Sequence, residues 1–255
     1  AVKAAVLLLV DVTESMEREN LRREFTANVS HELKTPLTSI SGFAEILQGG
    51  LVQPKDIQKF AGRIFDEAQR LIVLVSDVIK ISQLDEGNVP YESETVDLGE
   101  MAKTILDRLS PEAEKNHISL QLEGTAQIRT VKPILEEVLY NLCDNAVKYN
   151  RKDGQVTVSI LQGEDSLILS VSDTGIGIPA GDQPRIFERF YRVDKSHSKE
   201  IGGTGLGLSI VKHGAAYLGA ALSLESFPNE GSTFTLRFPI SLEKADNSAP
   251  KEQAQ

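Results

Sequence analysis

The segment NVSHELKTPL, residues 28–37, decides the fold of the first part of the chain. It lies in a longer stretch where apolar residues recur every three or four positions, which predicts a helix over residues 13–48. After the turn signal QGGLVQP, a second helical pattern runs from Pro54 to Leu84, so the pair predicts an antiparallel hairpin. One hairpin leaves much of each apolar face in water. Two copies packed as a four-helix bundle bury those faces, so we expect a homodimer.

The same segment places His31 beside Glu32, five residues before Pro36. Val29 and Leu33 face the expected bundle core, and His31 lies about 200° round the helix from each of them, facing solvent. Pro36 has no N–H to donate to the carbonyl oxygen of Glu32, so we expect the helix to bend there. An isolated histidine of this kind is usually a solvated surface residue, so this segment alone establishes no chemistry.

The charge of the chain argues against one class of function. Its 255 residues carry a formal net charge of -10, and the pI is near 5.0. Direct nucleic-acid binding requires clustered Lys and Arg side chains and is therefore not expected. The single cysteine, Cys143, excludes an internal disulfide and fits a reducing compartment.

Changes in composition divide the chain into four parts. Residues 4–10 are apolar but too few to cross a bilayer, and residues 1–12 are interpreted as the end of a preceding domain. The hairpin occupies residues 13–88. A mixed pattern of helices and strands then fills residues 89–243. The polar segment 244–255 has no periodicity and is expected to be a disordered tail.

The mixed pattern predicts an α/β sandwich with one helical layer on a mixed sheet, which makes the whole chain an α+β multidomain protein. PRIFERFYRVDKSHSKE, residues 184–200, is interpreted as a short helix followed by a mobile lid, and an ordinary loop with an aromatic anchor stays open as the alternative. The other helices are predicted over residues 98–109, 133–149 and 206–217, and the strands over residues 117–124, 155–161, 166–173, 221–226 and 232–240.

Four polar residues share one face of the helix predicted over residues 133–149. Glu137, Asn141, Asn145 and Lys148 follow one another at intervals of four, four and three. An ordinary solvated helix face has the same spacing, and on this helix alone that interpretation stays open. The alternative is a metal and phosphate site. In that site an Asn oxygen binds Mg²⁺, which prefers hard oxygen ligands, and Lys148 attracts phosphate.

Two glycine-containing stretches follow this helix. In SLILSVSDTGIGIP, residues 166–179, an apolar strand ends at Asp173, which can accept a hydrogen bond from an amine such as that of adenine. The glycines after it permit close backbone approach to a ligand. In GGTGLGLSIVKH, residues 202–213, glycines precede a helix whose first N–H groups favour phosphate. This stretch lacks the ending of a Walker loop and follows a loop, which argues against a dinucleotide fingerprint.

Five motifs in this order resemble the kinase core of the bacterial sensor histidine kinases of two-component systems. SHELKTPL is similar to the histidine box of that family, and NLCDNAVKY is similar to its asparagine box. DTGIGIP and GGTGLGL resemble its two glycine boxes, and IFERFYRVD resembles its phenylalanine box. The resemblance covers residues 20–240. It implies a dimeric phosphoacceptor hairpin joined to a Bergerat-type ATP-binding sandwich, and VLLLVDVTE resembles the end of a PAS sensor domain.

The resemblance assigns catalytic roles to residues that match the motifs. It implies that His31 accepts a phosphoryl group from ATP and that Glu32 orients or deprotonates its imidazole. Thr35 matches the position that places water for dephosphorylating the partner protein. Arg192 is implied to approach the γ-phosphate. An imidazole attacks phosphorus only when it is neutral, and a neighbouring carboxylate can hold the proton on one ring nitrogen.

The resemblance also implies which residues bind the nucleotide. Asn145, supported by Asn141, is implied to hold Mg²⁺, and Lys148 to contact phosphate. Tyr149 is implied to pack near the adenine, and Asp173 to bind its amino group. The other expected nucleotide-binding residues belong to the glycine boxes: Gly175, Gly177, Gly203, Thr204, Gly205, Leu206 and Gly207.

The implied function is autophosphorylation from Mg-ATP, transfer of the phosphoryl group to an aspartate of a response regulator, and dephosphorylation of that regulator. The first helix below His31, including Ile40, Ser41 and Phe43, is the expected docking surface for the receiver domain. The parent protein is expected to be bound to the bacterial membrane, with this portion in the cytoplasm.

Two other classes share parts of the pattern. Gyrase, the heat-shock chaperones and the mismatch-repair ATPases have the same nucleotide fold, but they lack a histidine-bearing hairpin directly before it. A non-catalytic dimeric scaffold is expected to lose the Asn, Asp or Gly residues of the site, and all of them are present. The departures from the family pattern are Cys143, Asp144 and Gly214, the last of which is expected to break its helix.

Overall fold

The computed structural model describes residues 13–86, 92–193 and 203–239. They form a helical hairpin, residues 13–86, and an α/β domain, residues 92–239. The interpretation of residues 1–12 as the end of a preceding domain lies outside the described residues. So do the predicted tail and most of the predicted lid.

The hairpin consists of two long helices that pack along each other. Helix α1 spans Thr13–Gln48, and helix α2 spans Ile57–Glu86 after a 3-10 turn at Pro54–Asp56. α1 is assigned as one helix across Pro36, whose side chain is buried, and the bend expected there stays a prediction. In the described part of the chain, neither these helices nor the shorter ones combine the length and hydropathy that a membrane span requires.

One face of α2 keeps large apolar side chains in solvent. Phe65, Ile72, Val75 and Ile79 are between 42% and 62% exposed. Phe65, Ile72 and Ile79 follow one another at intervals of seven, and Val75 lies between the last two, as in the core positions of a coiled coil. We call these four residues the α2 stripe. Such a face is suited to burial against another helical hairpin.

The α/β domain contains a mixed five-stranded sheet in the order β2-β4-β5-β7-β6 and a two-stranded sheet of β1 and β3. β2 and β4 are parallel, and the other pairs are antiparallel. The strands are β1 Glu94–Asp97, β2 Ser119–Glu123, β3 Gln127–Thr130, β4 Gln155–Gln162, β5 Ser166–Asp173, β6 Ala221–Phe227 and β7 Gly231–Pro239, and the helices are α3 Leu98–Lys115, α4 Lys132–Lys148 and α5 Gly207–Tyr217.

The domain core forms where the helices cover one face of the large sheet. Alternate residues of β4 and β5 are buried, as expected for strands that present one face to a helical layer. α4 contributes Leu135, Leu139 and Leu142, each at most 1% exposed. Burying such a side chain stabilises the fold by about 1.5–3 kcal/mol. The predicted sandwich is confirmed, and its core fixes the position of α4 and of the end of β5.

Gly214 does not break its helix, so that prediction was wrong. α5 continues through it to Tyr217, and Gly214 is buried against α4. A β-carbon at this position would lie 2.5 Å from Cγ2 of Val138, closer than carbon atoms pack. The glycine is therefore a packing residue that lets α5 approach α4.

The short helix expected in residues 184–200 is absent from their described part, residues 184–193, where the alternative of a loop agrees with the structure. This described stretch consists of successive turns, in which Ile186 N–H donates to Asp182 O over 3.0 Å and Tyr191 N–H donates to Glu188 O over 3.3 Å. Phe190 has a φ of 64°, which a continuous right-handed helix does not allow. The turns bring its ring toward the hairpin.

The hairpin packs against the α/β domain near the second glycine stretch. Leu74 and Ile81 of α2 form a buried cluster with Leu206 and Ile210. Phe25, Leu33, Val78, Leu84 and Phe190 pack around it. At one end of this contact, Arg189 Nη2 lies 2.8 and 2.7 Å from the two carboxylate oxygens of Asp85. α2 therefore lies directly beside the residues predicted to bind a nucleotide.

Candidate active site

The polar face of α4 forms one wall of the site. Asn141 Nδ2 donates to the backbone oxygen of Glu137 over 2.8 Å and to its Oε1 over 3.1 Å. Both partners are acceptors, so the nitrogen of the amide faces Glu137 and the oxygen faces away. Lys148 Nζ lies 2.6 Å from Asp144 Oδ2, which holds the lysine along the helix.

The second glycine stretch lies against this wall. A β-carbon on Gly207 would lie 2.7 Å from Asn141 Oδ1 and 4.0 Å from Asn145 Nδ2. The close approach of the chain to both amides therefore requires glycine at residue 207. The fold thus brings the start of α5 and its N–H groups beside both asparagines predicted to hold a metal ion.

The end of β5 forms a second wall. Asp173 is half-buried, and its Oδ1 accepts a hydrogen bond of 2.8 Å from Gly175 N–H. Burial raises the pKa of this carboxyl, while hydrogen bonds from the backbone of Gly175 and Ser232 oppose that rise. A β-carbon on Gly175 would collide with the backbone oxygen of Tyr149, so glycine lets the chain pass the end of α4. Gly177 packs in the same way against Phe227.

Arg192 lies between the nucleotide-binding candidates and the hairpin. Its Nη2 donates to the backbone oxygen of Gly203, and a β-carbon on Gly203 would lie 3.6 Å from both this nitrogen and the hydroxyl of Tyr149. Burial lowers the pKa of the guanidinium, and so does the nearby charge of Arg70, whereas Tyr149 and Glu32 raise it. Glu32 is thus one of the charged groups in the surroundings of Arg192, although it makes the smallest of these contributions.

Thr204 and Leu206 face the hairpin. Thr204 Oγ1 donates to Asp77 Oδ2 of α2 over 2.8 Å, and it accepts from Leu206 N–H over 3.3 Å. Leu206 is fully buried in the cluster with α2. Between them, Gly205 has a φ of +74° and its oxygen accepts from Phe190 N–H over 2.9 Å. In this arrangement both predicted nucleotide-binding side chains make interdomain contacts.

The histidine of α1 is well exposed. The side chain of His31 is 80% exposed, and its Nδ1 lies 3.6 Å from Glu32 Oε1. Thr35 Oγ1 donates to the backbone oxygen of His31 over 3.3 Å. The predicted exposure of His31 is confirmed, and the neighbouring carboxylate faces Nδ1 and not Nε2.

The predicted docking surface below His31 is exposed only in part, with Ile40 and Phe43 half-buried. The ring of Phe43 lies 5.7 Å from that of Phe60 in an edge-to-face contact, and the guanidinium of Arg63 covers it at 5.6 Å. Phe43 therefore packs against α2 while part of its side chain stays exposed. Ser41 and Leu37 remain exposed on the same part of α1.

Sequence patterns did not indicate which residues of α2 contact this site. Asp77, Lys80 and Asp85 meet Thr204, Glu137 and Arg189, respectively. Each of them is an ordinary polar residue of an amphipathic helix, and its partner lies far away in the chain. Only the packing of the two domains brings them together.

The residues present fit a magnesium nucleotide. Two amide oxygens suit Mg²⁺, which keeps several waters and takes few protein ligands. Among the described residues no group of three or more His, Cys, Asp or Glu side chains is placed to hold a metal ion. The two asparagine amides of α4, beside the start of α5, are therefore the donor set that this part of the chain offers.

Two family models match the chain. The His Kinase A (phospho-acceptor) domain matches residues 21–87, which include His31. The histidine kinase-, DNA gyrase B-, and HSP90-like ATPase matches residues 130–242, which include both glycine stretches and α4. The second match supports ATP as the nucleotide.

Curated relatives match over nearly the whole chain. The chain is 37% identical over 237 residues to the sensor-like histidine kinase SenX3 of Mycolicibacterium smegmatis, a match that covers 92% of this chain and 62% of that protein. It is 38% identical over 251 residues to the phosphate regulon sensor protein PhoR of Pseudomonas aeruginosa, with coverages of 96% and 56%. The chain thus spans little more than half the length of these relatives.

Solved structures agree in fold. The histidine kinase AdeS of Acinetobacter baumannii has a TM-score of 0.69 at 22% identity, covering 82% of this chain and 97% of that one. The histidine kinase ThkA, solved in complex with the response regulator protein TrrA, has a TM-score of 0.70 at 22% identity, with coverages of 91% and 66%. At this identity the likeness supports the fold alone. The two matched domains and the curated relatives lead to one conclusion: the chain belongs to the bacterial sensor histidine kinases.

Proposed function

We propose that this chain transfers the γ-phosphoryl group of ATP to His31 and then to an aspartate of a response regulator. The observation that carries the proposal is the position of Arg192. Its guanidinium donates to the oxygen of Gly203 beside the hydroxyl of Tyr149, and Glu32, the neighbour of His31, is among the charges that act on it. A cation between the nucleotide residues and the acceptor is suited to stabilising the charge of a transferring phosphoryl group.

The contact of His31 with Glu32 indicates which nitrogen reacts. Glu32 faces Nδ1, so it favours the tautomer with the proton on that nitrogen. Nε2 then keeps its lone pair and attacks the γ-phosphorus. A bond forms between Nε2 and phosphorus, the bond from phosphorus to the β–γ bridging oxygen breaks, and ADP leaves with that electron pair. The proton on Nδ1 moves toward Glu32 as positive charge develops on the ring.

The α/β domain supplies positioning and charge. Asn145 and Asn141 would hold Mg²⁺, which would neutralise phosphate charge, and Lys148 lies one turn along the same face. Asp173 keeps acceptor capacity beyond its bond to Gly175, which suits the amino group of adenine. The transition state of phosphoryl transfer asks little covalent chemistry of the protein, so this positioning is most of its contribution.

The partners belong to the same proposal. A response regulator receiver domain takes the phosphoryl group from His31, docking on the exposed part of α1 that includes Ser41. Thr35 lies one turn from His31, where its hydroxyl can orient water for dephosphorylating the regulator. A second copy of the chain covers the α2 stripe. The membrane attachment of the parent protein is inferred from the family.

The direct test is incubation of the purified chain with γ-labelled ATP and Mg²⁺. We expect a label that resists base, is lost in acid and is absent from His31→Gln. His117→Asn is the matched control, because it removes another exposed histidine and asparagine tolerates its positive φ of 56°. Nucleotide binding without any labelling of the wild-type chain would overturn the proposal.

A further inference from the structure

Glu137 is the one member of the polar face of α4 to which the proposed function gives no role. It lies one turn before Asn141, and its side chain is 27% exposed. Its Oε1 makes two contacts: it accepts from Asn141 Nδ2 over 3.1 Å, and it lies 2.7 Å from Nζ of Lys80 on α2. One carboxylate therefore joins the hairpin to an amide at the metal end of the site.

The carboxylate determines how the amide of Asn141 is oriented. Both acceptors on its nitrogen side come from Glu137, and a flipped amide would place an oxygen against two oxygens. The flip is therefore unfavourable, and Oδ1 stays on the side of the amide that faces Gly207 at the start of α5. A charged acceptor strengthens this preference beyond that of the backbone oxygen alone.

Lys80 in turn holds the carboxylate. It approaches from α2, three residues after Asp77, which binds Thr204 of the second glycine stretch. The lysine side chain is 37% exposed, and an ion pair of this exposure adds little to the stability of a fold. The pair can open and close as α2 moves against the α/β domain, which suits a coupling contact better than a structural one.

We propose that Lys80 and Glu137 are positioning residues: they orient Asn141 for the metal ion and transmit the position of helix α2 to the nucleotide site. The inference rests on the proposed function, because it assumes that Asn141 faces Mg²⁺. When α2 is in the observed position, Lys80 holds Glu137, and Glu137 keeps the amide of Asn141 in the orientation that suits the metal ion. When α2 moves away, Glu137 loses its cation and holds Asn141 less firmly.

The test measures binding of a fluorescent ATP analogue as Mg²⁺ is titrated, with unfolding temperature as a check on folding. Glu137→Leu removes both contacts, and we expect the Mg²⁺ concentration for half-maximal binding to rise about tenfold, as for other residues that orient metal ligands. Glu137→Gln keeps an acceptor for Asn141 but loses the pair with Lys80, so we expect a smaller rise.

Exchanging the two residues separates the two contacts. Lys80→Glu combined with Glu137→Lys restores an ion pair between α2 and α4, but a lysine cannot accept from Asn141 Nδ2. We expect this double variant to need the same raised Mg²⁺ concentration for half-maximal binding as Glu137→Leu. Lys115→Met is the matched control, since it breaks an ion pair of 2.5 Å with Glu112 on α3 and is expected to change nothing.

The outcomes distinguish this inference from the proposed function. If the wild-type chain shows no Mg²⁺-dependent nucleotide binding, the proposed function fails. If the wild type binds and Glu137→Leu has the same Mg²⁺ requirement at an unchanged unfolding temperature, the positioning role is wrong and the proposed function stands. If the exchanged variant needs the same Mg²⁺ concentration for half-maximal binding as the wild type, the proposed orientation of Asn141 by Glu137 is also wrong. The ion pair between α2 and α4 alone would then be sufficient.

Discussion

At the scale of single residues, Asp77 is an acid that the fold places where its charge is disfavoured. It lies at the contact of α2 with the α/β domain and accepts a hydrogen bond from Thr204. Burial raises its pKa above the usual 3.8, although Thr204 and Lys80 act in the opposite direction. Ionised Asp77 therefore costs stability at neutral pH, and this cost disappears as the pH falls through the raised pKa.

We predict that Asp77→Asn unfolds at a higher temperature than the wild type at pH 7. The asparagine oxygen still accepts from Thr204, while the disfavoured charge is gone. The difference should narrow as the pH falls and vanish near 3.8, as measured by thermal unfolding monitored by circular dichroism. A gain that is independent of pH would contradict this explanation.

Asp97 is the control for Asp77, because its pKa is shifted in the opposite direction. Hydrogen bonds from Glu100 N–H and Thr125 lower its pKa, because they favour the ionised carboxylate at the start of α3. Asp97→Ala should therefore unfold at a lower temperature than the wild type at pH 7. That loss should persist as the pH falls to 3.8 and disappear only below it.

At the scale of secondary structure elements, the contact of α5 with α4 depends on Gly214. We predict that Gly214→Ala destabilises the α/β domain by about 1–3 kcal/mol, because the added methyl group overlaps Val138. Gly62→Ala is the matched control: it lies in α2 with nothing near the added carbon and should stabilise its helix by about 0.5–1 kcal/mol. Urea denaturation measures both changes. Equal effects of the two substitutions would show that packing is not the reason for glycine.

In helix α1, the residue with a special effect on the backbone is Pro36. We predict that Pro36→Ala restores a helical hydrogen bond to Glu32 and changes the ratio of kinase to phosphatase activity more than it changes folding. The physical reason is that a bend below His31 allows bundle motion to present or withdraw the imidazole. Rates of autophosphorylation and of regulator dephosphorylation give the ratio. Pro54→Ala, at the start of a helical turn, is the control. An unchanged ratio of kinase to phosphatase activity in Pro36→Ala would contradict this explanation.

Repeating patterns explain which elements could be predicted from the sequence. α4 and β5 were predicted within a residue or less at each end, because their apolar residues recur with the period of the element. β1 and β3 were not predicted, since each has four residues and β1 buries only Val96. α3 extends to Lys115 through Pro111, beyond the end predicted at residue 109.

The site was predictable only where its residues lie in local motifs. Asn141, Asp173 and Gly207 were identified because each occurs in a short stretch of fixed spacing. The contacts of Asp85 with Arg189 and of Asp77 with Thr204 join residues 104 and 127 positions apart. These contacts depend on how two domains pack, which no local spacing encodes.

At the scale of the whole molecule, the α2 stripe predicts assembly. We expect the wild-type chain to be a dimer in light scattering after size-exclusion chromatography. Ile72→Glu with Ile79→Glu should be a monomer, because a dimer would bury two new charges from each chain between the hairpins. Leu161→Glu is the control, since Leu161 is equally exposed, at 59%, but lies on β4. A monomeric wild type at micromolar concentration would contradict the prediction.

The burial of Cys143 has a practical consequence for following motion between the two domains. This is the only cysteine of the chain, and burial raises the pKa of its thiol to about 12. Only thiolates react readily with maleimides, so the thiol of Cys143 is not labelled at neutral pH. Cysteines can be introduced at two exposed glutamines, such as Gln58 on α2 and Gln162 on β4. Maleimide fluorophores would then label these two cysteines and leave Cys143 unlabelled. Energy transfer between them would report directly on whether nucleotide separates the hairpin from the α/β domain.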